Sequence, residues 1–346
     1  MLTAPKTMPI GSQAPVLVLE TTLMKAIVYY NCGSPDVLKC EEIEKPVPND
    51  NEVLIKVCAA SANPLDWRLM RGGPYIVRKL FGIGKPKIKR PGVDVAGEVE
   101  TVGSNVTQFK PGDSVFGLCK GAFAEYVCAP ESALVLKPDN VTFEQAASVP
   151  VAAFTALQGL RDKGHIQPRQ KVLINGAAGG VGTFAVQIAK SFSADVTGVC
   201  STKNLNMVRS IGADRAIDYT HEDFTRGTQR YDLILDCVGN HSFSAYRRVL
   251  NPSGICVIIG GKELWSVLIR VLTAPVLSRL VSQKFIFFIA KLSKEDLTTM
   301  SELMARGKVT PVIDRRYTLS EVPKAIRYLE EGHARGKVVI NLESAN

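Results

Sequence analysis

A glycine-rich segment in the middle of the chain is the feature with the clearest chemical meaning. KVLINGAAGGVGTFAVQIAK, residues 171–190, places four glycines between an apolar run and a helical pattern. Aligned on its last glycine it reads Ala177-x-Gly179-x-x-Gly182, the dinucleotide fingerprint with alanine at the first position. The small first residue permits a tight turn, the second glycine lets backbone N–H groups approach a pyrophosphate, and the third lets the helix pack closely on the strand. The segment is either a phosphate cradle or a compact turn.

The elements around this segment favour the phosphate cradle. The helix that follows repeats apolar residues at positions 0, 3, 4, 7 and 8, which are Val181, Phe184, Ala185, Ile188 and Ala189. From about residue 150 onward strands and helices alternate, with ADVTGVC, AIDY, YDLILDCVG and GICVIIG as strands and a helix over 204–211. This alternation predicts an α/β fold with a doubly wound parallel sheet. Gly180 and Val181 would then begin a helix whose unpaired N–H groups face the phosphates.

The segments before residue 150 have a different character. Residues 24–149 contain short strand candidates punctuated by proline and glycine, such as KAIVYY, EVLIKVCAA and DSVFG, which is typical of a partly antiparallel sheet or barrel. Residues 1–23 lack the cationic start and apolar block of a secretory signal and are interpreted as an N-terminal extension. The eight cysteines are scattered, without a CxxC pair, and several lie in apolar runs, so we expect a reducing, cytoplasmic compartment.

Charge and hydropathy exclude some functions. The net charge is +9, and residues 78–90 hold six basic residues without an acid, but no nucleic-acid-binding motif accompanies them, so no nucleic-acid partner is predicted. The apolar segment 265–291 is interrupted by basic residues and a proline, and its uncharged stretches fall short of the ~20 residues of a membrane-spanning helix. It is a helix pair followed by a buried strand, or a peripheral membrane contact or subunit interface.

The residues after the second strand of the predicted sheet bear on the choice of nucleotide. An NAD site usually has an acid there to hold the ribose hydroxyls, but no acid lies between Val196 and Ala213. Ser201, Thr202 and Lys203 occupy this place, and hydroxyls with a cation suit a 2′-phosphate. The sequence therefore favours NADPH, and the less favoured alternative is that Lys203 is an ordinary solvated lysine at a helix start.

With these motifs in view, the chain closely resembles the zinc-independent quinone oxidoreductase branch of the medium-chain dehydrogenase/reductase superfamily. The resemblance covers residues 24–342 and rests on the segments MKAIVYYNCGSPDVL, PGVDVAGEVETVGSNVTQFKPGDSVFG, SVPVAAFTALQGL, IGADRAIDY and GHARGKVVINL. It implies a GroES-like catalytic domain formed by 24–149 and 311–346, and a Rossmann domain formed by 150–310. Members are commonly homodimers.

Departures from the zinc-containing members of the superfamily define the expected chemistry. Those members carry a cysteine ligand and a histidine where this chain has Ser61-Ala62-Asn63-Pro64-Leu65-Asp66-Trp67, and Gly-His-Glu where it has Gly92-Val93-Asp94. The structural zinc lobe is also missing, since only LCKG joins DSVFG to AFAEYV. Because catalytic zinc needs three protein ligands and an open position, no metal is predicted.

Without a metal, the site must stabilise developing negative charge by hydrogen bonds and positive charge, which suits a quinone or an α,β-unsaturated carbonyl compound. The resemblance implies active-site roles for Asn63 and Asp66, although both residues are also common in turns and caps. Arg68 stands where many quinone reductases have a tyrosine, and either donates as a cation or faces solvent. Thr155 matches a position beside the nicotinamide, or else bonds its own helix backbone.

Further cofactor contacts are expected by resemblance and at the carboxyl edge of the sheet. They are Tyr219, Cys237, Val238, Ile259, Gly260, Ala334 and Arg335. Tyr219 is either beside the adenosine phosphate or an aromatic covering the core, and Cys237 is a lining residue rather than a reactive thiol. The predicted activity is hydride transfer from NADPH to a quinone or enone. The alternatives are a catalytically weak NADPH-binding sensor or scaffold, and an alcohol dehydrogenase-like carbonyl reductase.

Overall fold

The computed structural model describes residues 22–72, 90–260 and 282–342. Most of the predicted extension 1–23, of the basic run 78–90 and of the segment 265–291 lies outside these ranges. None of the helices within them combines the length and the apolar character needed to cross a bilayer.

The strands before residue 140 follow one another mostly through turns, whereas the strands from residue 171 onward are separated mostly by helices. In chain order they are β1 Leu23–Val28, β2 Lys39–Glu44, β3 Glu52–Ala62, β4 Asp94–Val102, β5 Ser114–Leu118, β6 Tyr126–Pro130, β7 Leu134–Leu136, β8 Lys171–Asn175, β9 Asp195–Cys200, β10 Arg215–Asp218, β11 Tyr231–Asp236, β12 Leu250–Ile258, β13 Lys284–Phe287, β14 Ile313–Thr318 and β15 Lys337–Asn341. The α-helices are α1 Pro64–Arg71, α2 Phe143–Ala147, α3 Pro150–Gln158, α4 Gly180–Ser191, α5 Leu205–Ser210, α6 Phe243–Val249, α7 Lys294–Ala305 and α8 Val322–Glu330.

One seven-stranded sheet joins strands from both ends of the chain. Its order is β14-β15-β3-β4-β5-β7, with β6 also paired to β3, and its pairs are antiparallel except β14 with β15. At the end of β3, Ser61 pairs with Asp94 of β4 while the next residue, Ala62, pairs with Val338 of β15. This register brings three distant parts of the sequence together at one sheet edge.

The second sheet has six parallel strands in the order β10-β9-β8-β11-β12-β13. This is the doubly wound order, in which the chain reverses direction between β8 and β11 and leaves a crevice at their carboxyl ends. Helix α4 covers the sheet with the predicted apolar stripe, of which Phe184, Ala185, Ile188 and Ala189 are fully buried. The predicted fold class, a Rossmann sheet plus a mostly β domain, is confirmed.

Some local predictions need correction. Strand β1 begins at Leu23, inside the predicted extension, because Leu23 pairs with Glu44. A single 3-10 turn, Thr202–Asn204, precedes α5, so the helix predicted from residue 204 begins one residue later. The segment KFIFFIAK was predicted as one buried strand, but only its first four residues form a strand, β13, at the edge of the described sheet. Phe285 in this strand is buried, whereas Ile289 beyond it is 69% exposed. The domain boundaries stay a prediction.

Candidate active site

The glycine turn after β8 has the local geometry that a pyrophosphate site requires. At Gly182 a Cβ would lie 2.0 Å from the carbonyl oxygen of Gly176, so only glycine lets α4 pack this closely against the turn. At Gly179 no atom lies closer than 3.5 Å to such a Cβ, and the space in front of the turn is open. Gly179 is the N-cap residue of α4 and has no side chain to cap it. The first N–H groups of the helix, at Gly180 and Val181, therefore remain available to a ligand.

The adenosine end of this crevice carries both signs of charge. Ser201 follows β9 and accepts from the Asn204 amide, while Lys203 is exposed. A carboxylate also lies here, at Asp218, the last residue of β10. Hydrogen bonds from Thr202 and Thr220 hold the pKa of Asp218 below its usual range, so it is ionised. The sequence-based prediction singled out the neighbouring Tyr219 but not Asp218, because an acid was sought only between Val196 and Ala213.

The switch point of the sheet is fixed by a buried network around Asp236, at the end of β11. Its carboxylate accepts from the Tyr246 hydroxyl, from the Asn175 amide at 2.9 Å and from the N–H groups of Val238 and Gly239. This network sets the path of the segment after β11 along the crevice.

The other residues predicted at this edge are half-buried. These residues are Cys237, Val238, Ile259 and Gly260. Gly260 is required by close packing, because a Cβ there would lie 2.0 Å from the Cys237 carbonyl oxygen. Burial raises the pKa of the Cys237 thiol, which fits a lining residue rather than a nucleophile. Tyr219 lies just beyond β10, 58% exposed, where it covers none of the core.

The C-terminal segment docks directly on the glycine turn. The Gly336 N–H donates to the Ala178 carbonyl at 2.8 Å, and Gly336 forms a parallel bridge with Gly179. Gly336 has φ +83°, and a Cβ there would lie 2.2 Å from the Val312 carbonyl oxygen, so glycine is required. Of the predicted neighbours, Ala334 is half-buried and Arg335 is exposed.

Asn63 is the N-cap of α1 and Asp66 its third residue, and the two form a capping box, which is the capping role anticipated as their alternative. The Asn63 N–H donates to Asp66 Oδ2 at 2.7 Å, and the Gly92 N–H donates to Asp66 Oδ1 at 3.1 Å. Burial raises the pKa of Asp66 to about 7, against the lowering effect of these two donors. With both oxygens accepting, Asp66 holds the segment 61–66 against residue 92.

Asp94 links this segment to helix α3. It is fully buried, and its Oδ2 accepts from the Ser61 hydroxyl at 2.9 Å and from the Asn63 amide at 2.9 Å. Its Oδ1 accepts from the Val151 N–H in the first turn of α3, at 3.1 Å. The carboxylate therefore receives donors from the end of β3, from the N-cap of α1 and from the first turn of α3.

Lys337, the first residue of β15, completes this cluster. The side chain is 3% exposed, and its Nζ lies 2.6 Å from Asn63 Oδ1 and 3.4 Å from Asp94 Oδ2. Lys337 lies in the segment GHARGKVVINL but was not among the site residues predicted from the sequence. One signal in the sequence could have identified it, because a lysine directly after a glycine begins a strand that is otherwise apolar.

Two residues predicted to be catalytic lie outside this cluster of hydrogen bonds. Arg68 is on the exposed face of α1, and its guanidinium carbon lies 5.3 Å from the centre of the Trp67 ring. The Thr155 hydroxyl donates to the Val151 carbonyl at 2.8 Å, which is the backbone bond anticipated as its alternative role. Of the four residues predicted to be catalytic, the structure brings Asn63 and Asp66 together by a hydrogen bond, whereas Arg68 and Thr155 lie apart from them.

The donor set does not fit zinc. The polar groups that converge are an amide oxygen and one carboxylate, and the ammonium of Lys337 lies between them. Zinc sites use cysteine, histidine or carboxylate ligands, usually three from the protein. Elsewhere in the described ranges, no three histidine, cysteine, aspartate or glutamate side chains come together as a metal site.

Comparison with known proteins places the chain in a family. Residues 49–139 match the alcohol dehydrogenase GroES-like domain, and residues 211–340 match a zinc-binding dehydrogenase domain. A chloroplast envelope quinone oxidoreductase homolog from Arabidopsis thaliana is 34% identical, over 92% of this chain and 98% of that protein. An NADPH-dependent alkenal/one oxidoreductase from the same plant is 35% identical, over 92% of this chain and 79% of that protein.

A solved structure agrees with these matches. The quinone oxidoreductase from Coxiella burnetii superposes with a TM-score of 0.82 at 31% identity, covering 93% of this chain and all of that one. The matched domains, the doubly wound sheet with its glycine turn and the relatives over nearly full length lead to the same assignment. The chain belongs to the medium-chain dehydrogenase/reductase superfamily, in its zinc-independent quinone oxidoreductase-like branch.

Proposed function

We propose that this chain is a zinc-independent oxidoreductase that uses NADPH to reduce a quinone or an α,β-unsaturated carbonyl compound. The relatives named above include a quinone oxidoreductase homolog and an NADPH-dependent alkenal/one oxidoreductase. The observation that carries the proposal is the direct contact between the glycine turn and the C-terminal segment, which places the turn beside the buried polar cluster of Asn63, Asp94 and Lys337.

The residues present fit a nicotinamide dinucleotide. The open space in front of Gly179 and the available N–H groups of Gly180 and Val181 would hold its pyrophosphate. When bound, the dinucleotide supplies a hydride, which carries two electrons to the acceptor. The chain's own task is then to stabilise the negative charge that appears on the acceptor oxygen until a proton from water neutralises it.

The proposed choice of NADPH over NADH rests on Ser201 and Lys203, which follow β9. The ionised carboxylate of Asp218, at the end of the neighbouring strand β10, acts against this choice. We expect Lys203→Ala to weaken NADPH binding about tenfold, as the loss of one charge-assisted contact would, and to leave NADH binding unchanged. Titration of nucleotide fluorescence measures both affinities. Lys308→Ala, at an exposed lysine on a different part of the surface, is the matched control. Equal loss for both nucleotides, or for neither, would contradict NADPH selection by Lys203.

A direct assay tests the activity. The purified protein is mixed with NADPH and either a small benzoquinone or methyl vinyl ketone, and the loss of the reduced nicotinamide absorbance is followed. We expect turnover with at least one acceptor and no inhibition by a strong zinc chelator. Tight NADPH binding without turnover of either acceptor, or of a broader carbonyl panel, would refute the proposal and favour a nucleotide-binding sensor.

Two further parts of the proposal concern the assembly and the compartment. We propose a homodimer and a cytoplasmic location, the latter supported by eight cysteines none of which forms a disulfide. Several relatives have the word chloroplastic or mitochondrial in their names, and these words describe the location of those proteins. Light scattering of the purified chain measures its mass in solution, and a monomer would contradict the homodimer.

A vesicle co-sedimentation assay tests the predicted membrane contact of residues 265–291.

A further inference from the structure

The buried cluster contains a single positive charge and few unused hydrogen-bond donors. The Asp94 carboxylate only accepts, and both carboxyl oxygens of Asp66 are already engaged by backbone N–H groups. Both amide hydrogens of Asn63 are engaged, one by the Ser61 carbonyl at 3.3 Å and one by Asp94 at 2.9 Å. The Ser61 hydroxyl donates to Asp94. The Lys337 ammonium has three hydrogens and two acceptors, so in this cluster it is the donor with capacity for one more oxygen.

The lysine is also placed between the two halves of the candidate site. A Cβ on Gly180, the first residue of α4, would lie 3.4 Å from Lys337 Cδ, so the lysine stem runs along the glycine turn. Its ammonium then reaches the end of β3 at Asn63. The preceding residue, Gly336, is fixed to the turn by its bond to Ala178, which leaves the start of β15 little freedom to move.

We propose that Lys337 supplies the positive charge that stabilises the acceptor oxygen during reduction, in the role that a metal ion fills in zinc-binding members of the superfamily. This inference rests on the proposed function. A hydride from the bound dinucleotide would form a C–H bond at the β-carbon of an enone, the C=C π electrons would shift toward the carbonyl carbon and the C=O π electrons would move to oxygen, and the Lys337 ammonium would lower the energy of that oxyanion. Water then donates the proton, so the lysine remains charged throughout. Asp94 and Asn63 hold the ammonium in place.

A second role for the same charge must be distinguished, because the lysine stem also passes the pyrophosphate turn. A lysine that mainly binds phosphate would affect the dissociation constant of NADPH and leave the turnover of the saturated enzyme unchanged. A lysine that stabilises the oxyanion would affect kcat and leave NADPH binding nearly unchanged. Measuring both quantities on the same variants separates the two.

Two substitutions separate charge from hydrogen bonding. Lys337→Gln keeps a donor for Asn63 but removes the charge, and Lys337→Arg keeps the charge. We expect Lys337→Gln to lower kcat about 10²-fold or more, with NADPH affinity changed by less than about threefold, because lost oxyanion stabilisation typically costs 10²–10³ in kcat. Lys337→Arg should retain more activity than Lys337→Gln. Lys190→Met is the matched control, since Lys190 forms an ion pair with Asp214 at the far end of α4.

The acceptor series provides a readout that a structural role would not change. Charge stabilisation matters most when the product oxyanion is basic, as in the enolate of methyl vinyl ketone, and least for a benzoquinone. The loss of kcat in Lys337→Gln should therefore be larger for the enone than for the quinone. A uniform loss with both acceptors would contradict the proposal.

Folding of the variants is controlled separately. Removing Lys337 leaves the Asp94 carboxylate buried without its counter-ion, which is destabilising. The double variant Lys337→Met with Asp94→Asn removes both charges, and we expect it to fold, to bind NADPH and to reduce the enone slowly. Wild-type turnover decides the proposed function, whereas the ratio of variant to wild type decides the role of Lys337. Weakened NADPH binding at unchanged kcat in Lys337→Gln would overturn the proposal. Full activity of Lys337→Gln together with a loss of activity in Arg68→Met would also overturn it.

Discussion

Replacing Asp66 by asparagine tests the electrostatics of the buried cluster through stability alone. The carboxyl is 4% exposed, and burial raises its pKa from 3.8 to about 7, helped by the charge of Asp94. The N–H groups of Asn63 and Gly92 and the ammonium of Lys337 oppose this rise. The native protein therefore binds this proton more tightly than the unfolded chain does.

The sign and size of the effect follow from linkage. Between about pH 4 and pH 7 the native state holds the Asp66 proton and the unfolded chain has lost it, so the free energy of unfolding falls as the pH rises. The stabilisation is fully present below the unfolded pKa and is lost as the pH passes the native pKa. At about 1.4 kcal/mol for each pKa unit, the expected loss across this range is about 4 kcal/mol. Tyr29 and Cys119 stay neutral here, because burial raises the pKa of both side chains.

The assay is denaturant unfolding of wild type and Asp66→Asn at intervals from about pH 4 to about pH 8. Asparagine accepts only one of the two backbone N–H bonds with its carbonyl, which costs roughly 1–3 kcal/mol at every pH, so the slopes are compared rather than the absolute values. The variant should lack the fall seen in wild type. Asp139→Asn, at an exposed carboxyl, is the control. Equal slopes in wild type and Asp66→Asn would refute the reasoning.

Substitutions in the crevice give further predictions. Gly182→Ala places a methyl 2.0 Å from the Gly176 carbonyl oxygen and should lower the free energy of unfolding by roughly 1–3 kcal/mol, measured by denaturant unfolding. Gly179→Ala should leave stability within about 0.5 kcal/mol, yet weaken NADPH binding about tenfold in a fluorescence titration, because its methyl enters the open space before the turn. Tyr246→Phe leaves buried Asp236 without its hydroxyl donor and should cost roughly 1–3 kcal/mol in the same unfolding assay.

Each of these three predictions would be contradicted by a specific result. A stable Gly182→Ala protein would mean that α4 can move away from the turn, and unchanged NADPH affinity in Gly179→Ala would mean that the pyrophosphate lies elsewhere. Tyr30→Phe is the control for Tyr246→Phe, because the Tyr30 hydroxyl bonds Glu41 at an exposed position and its loss should change stability by less than about 0.5 kcal/mol. Equal losses in the two tyrosine variants would contradict the importance of the buried network.

The Rossmann half was predictable because its signals are local. The apolar stripe of α4 repeats within a dozen residues, and the glycine spacing that permits close packing at Gly182 is read from one short segment. Element ends were less predictable, as at residues 202–204, where a 3-10 turn precedes α5 and no local pattern distinguishes the two kinds of helix.

The cluster at Lys337 was not predictable, because its members are joined by sheet register. Ser61 pairs with Asp94, 33 residues away, and Ala62 pairs with Val338, 276 residues away, so contacts between distant parts of the chain decide which side chains meet. A shift of one residue in the first pairing would turn Asp94 to the other face of the sheet, and the same shift in the second would turn Lys337. The sequence alone contains no measure of that register, and the family resemblance supplied only Asn63 and Asp66.

Two of the contacts described above join parts of the chain that lie far apart in the sequence. One is the bond between Gly336 and Ala178 at the glycine turn, and the other is the bond between Asp94 and the Val151 N–H at the start of α3. Lys337 directly follows Gly336, and its Nζ lies 3.4 Å from Asp94 Oδ2, so its stem starts beside the first contact and its ammonium ends beside the second. The lysine therefore spans the two contacts, and a change at either one would displace its charge from the glycine turn or from Asn63.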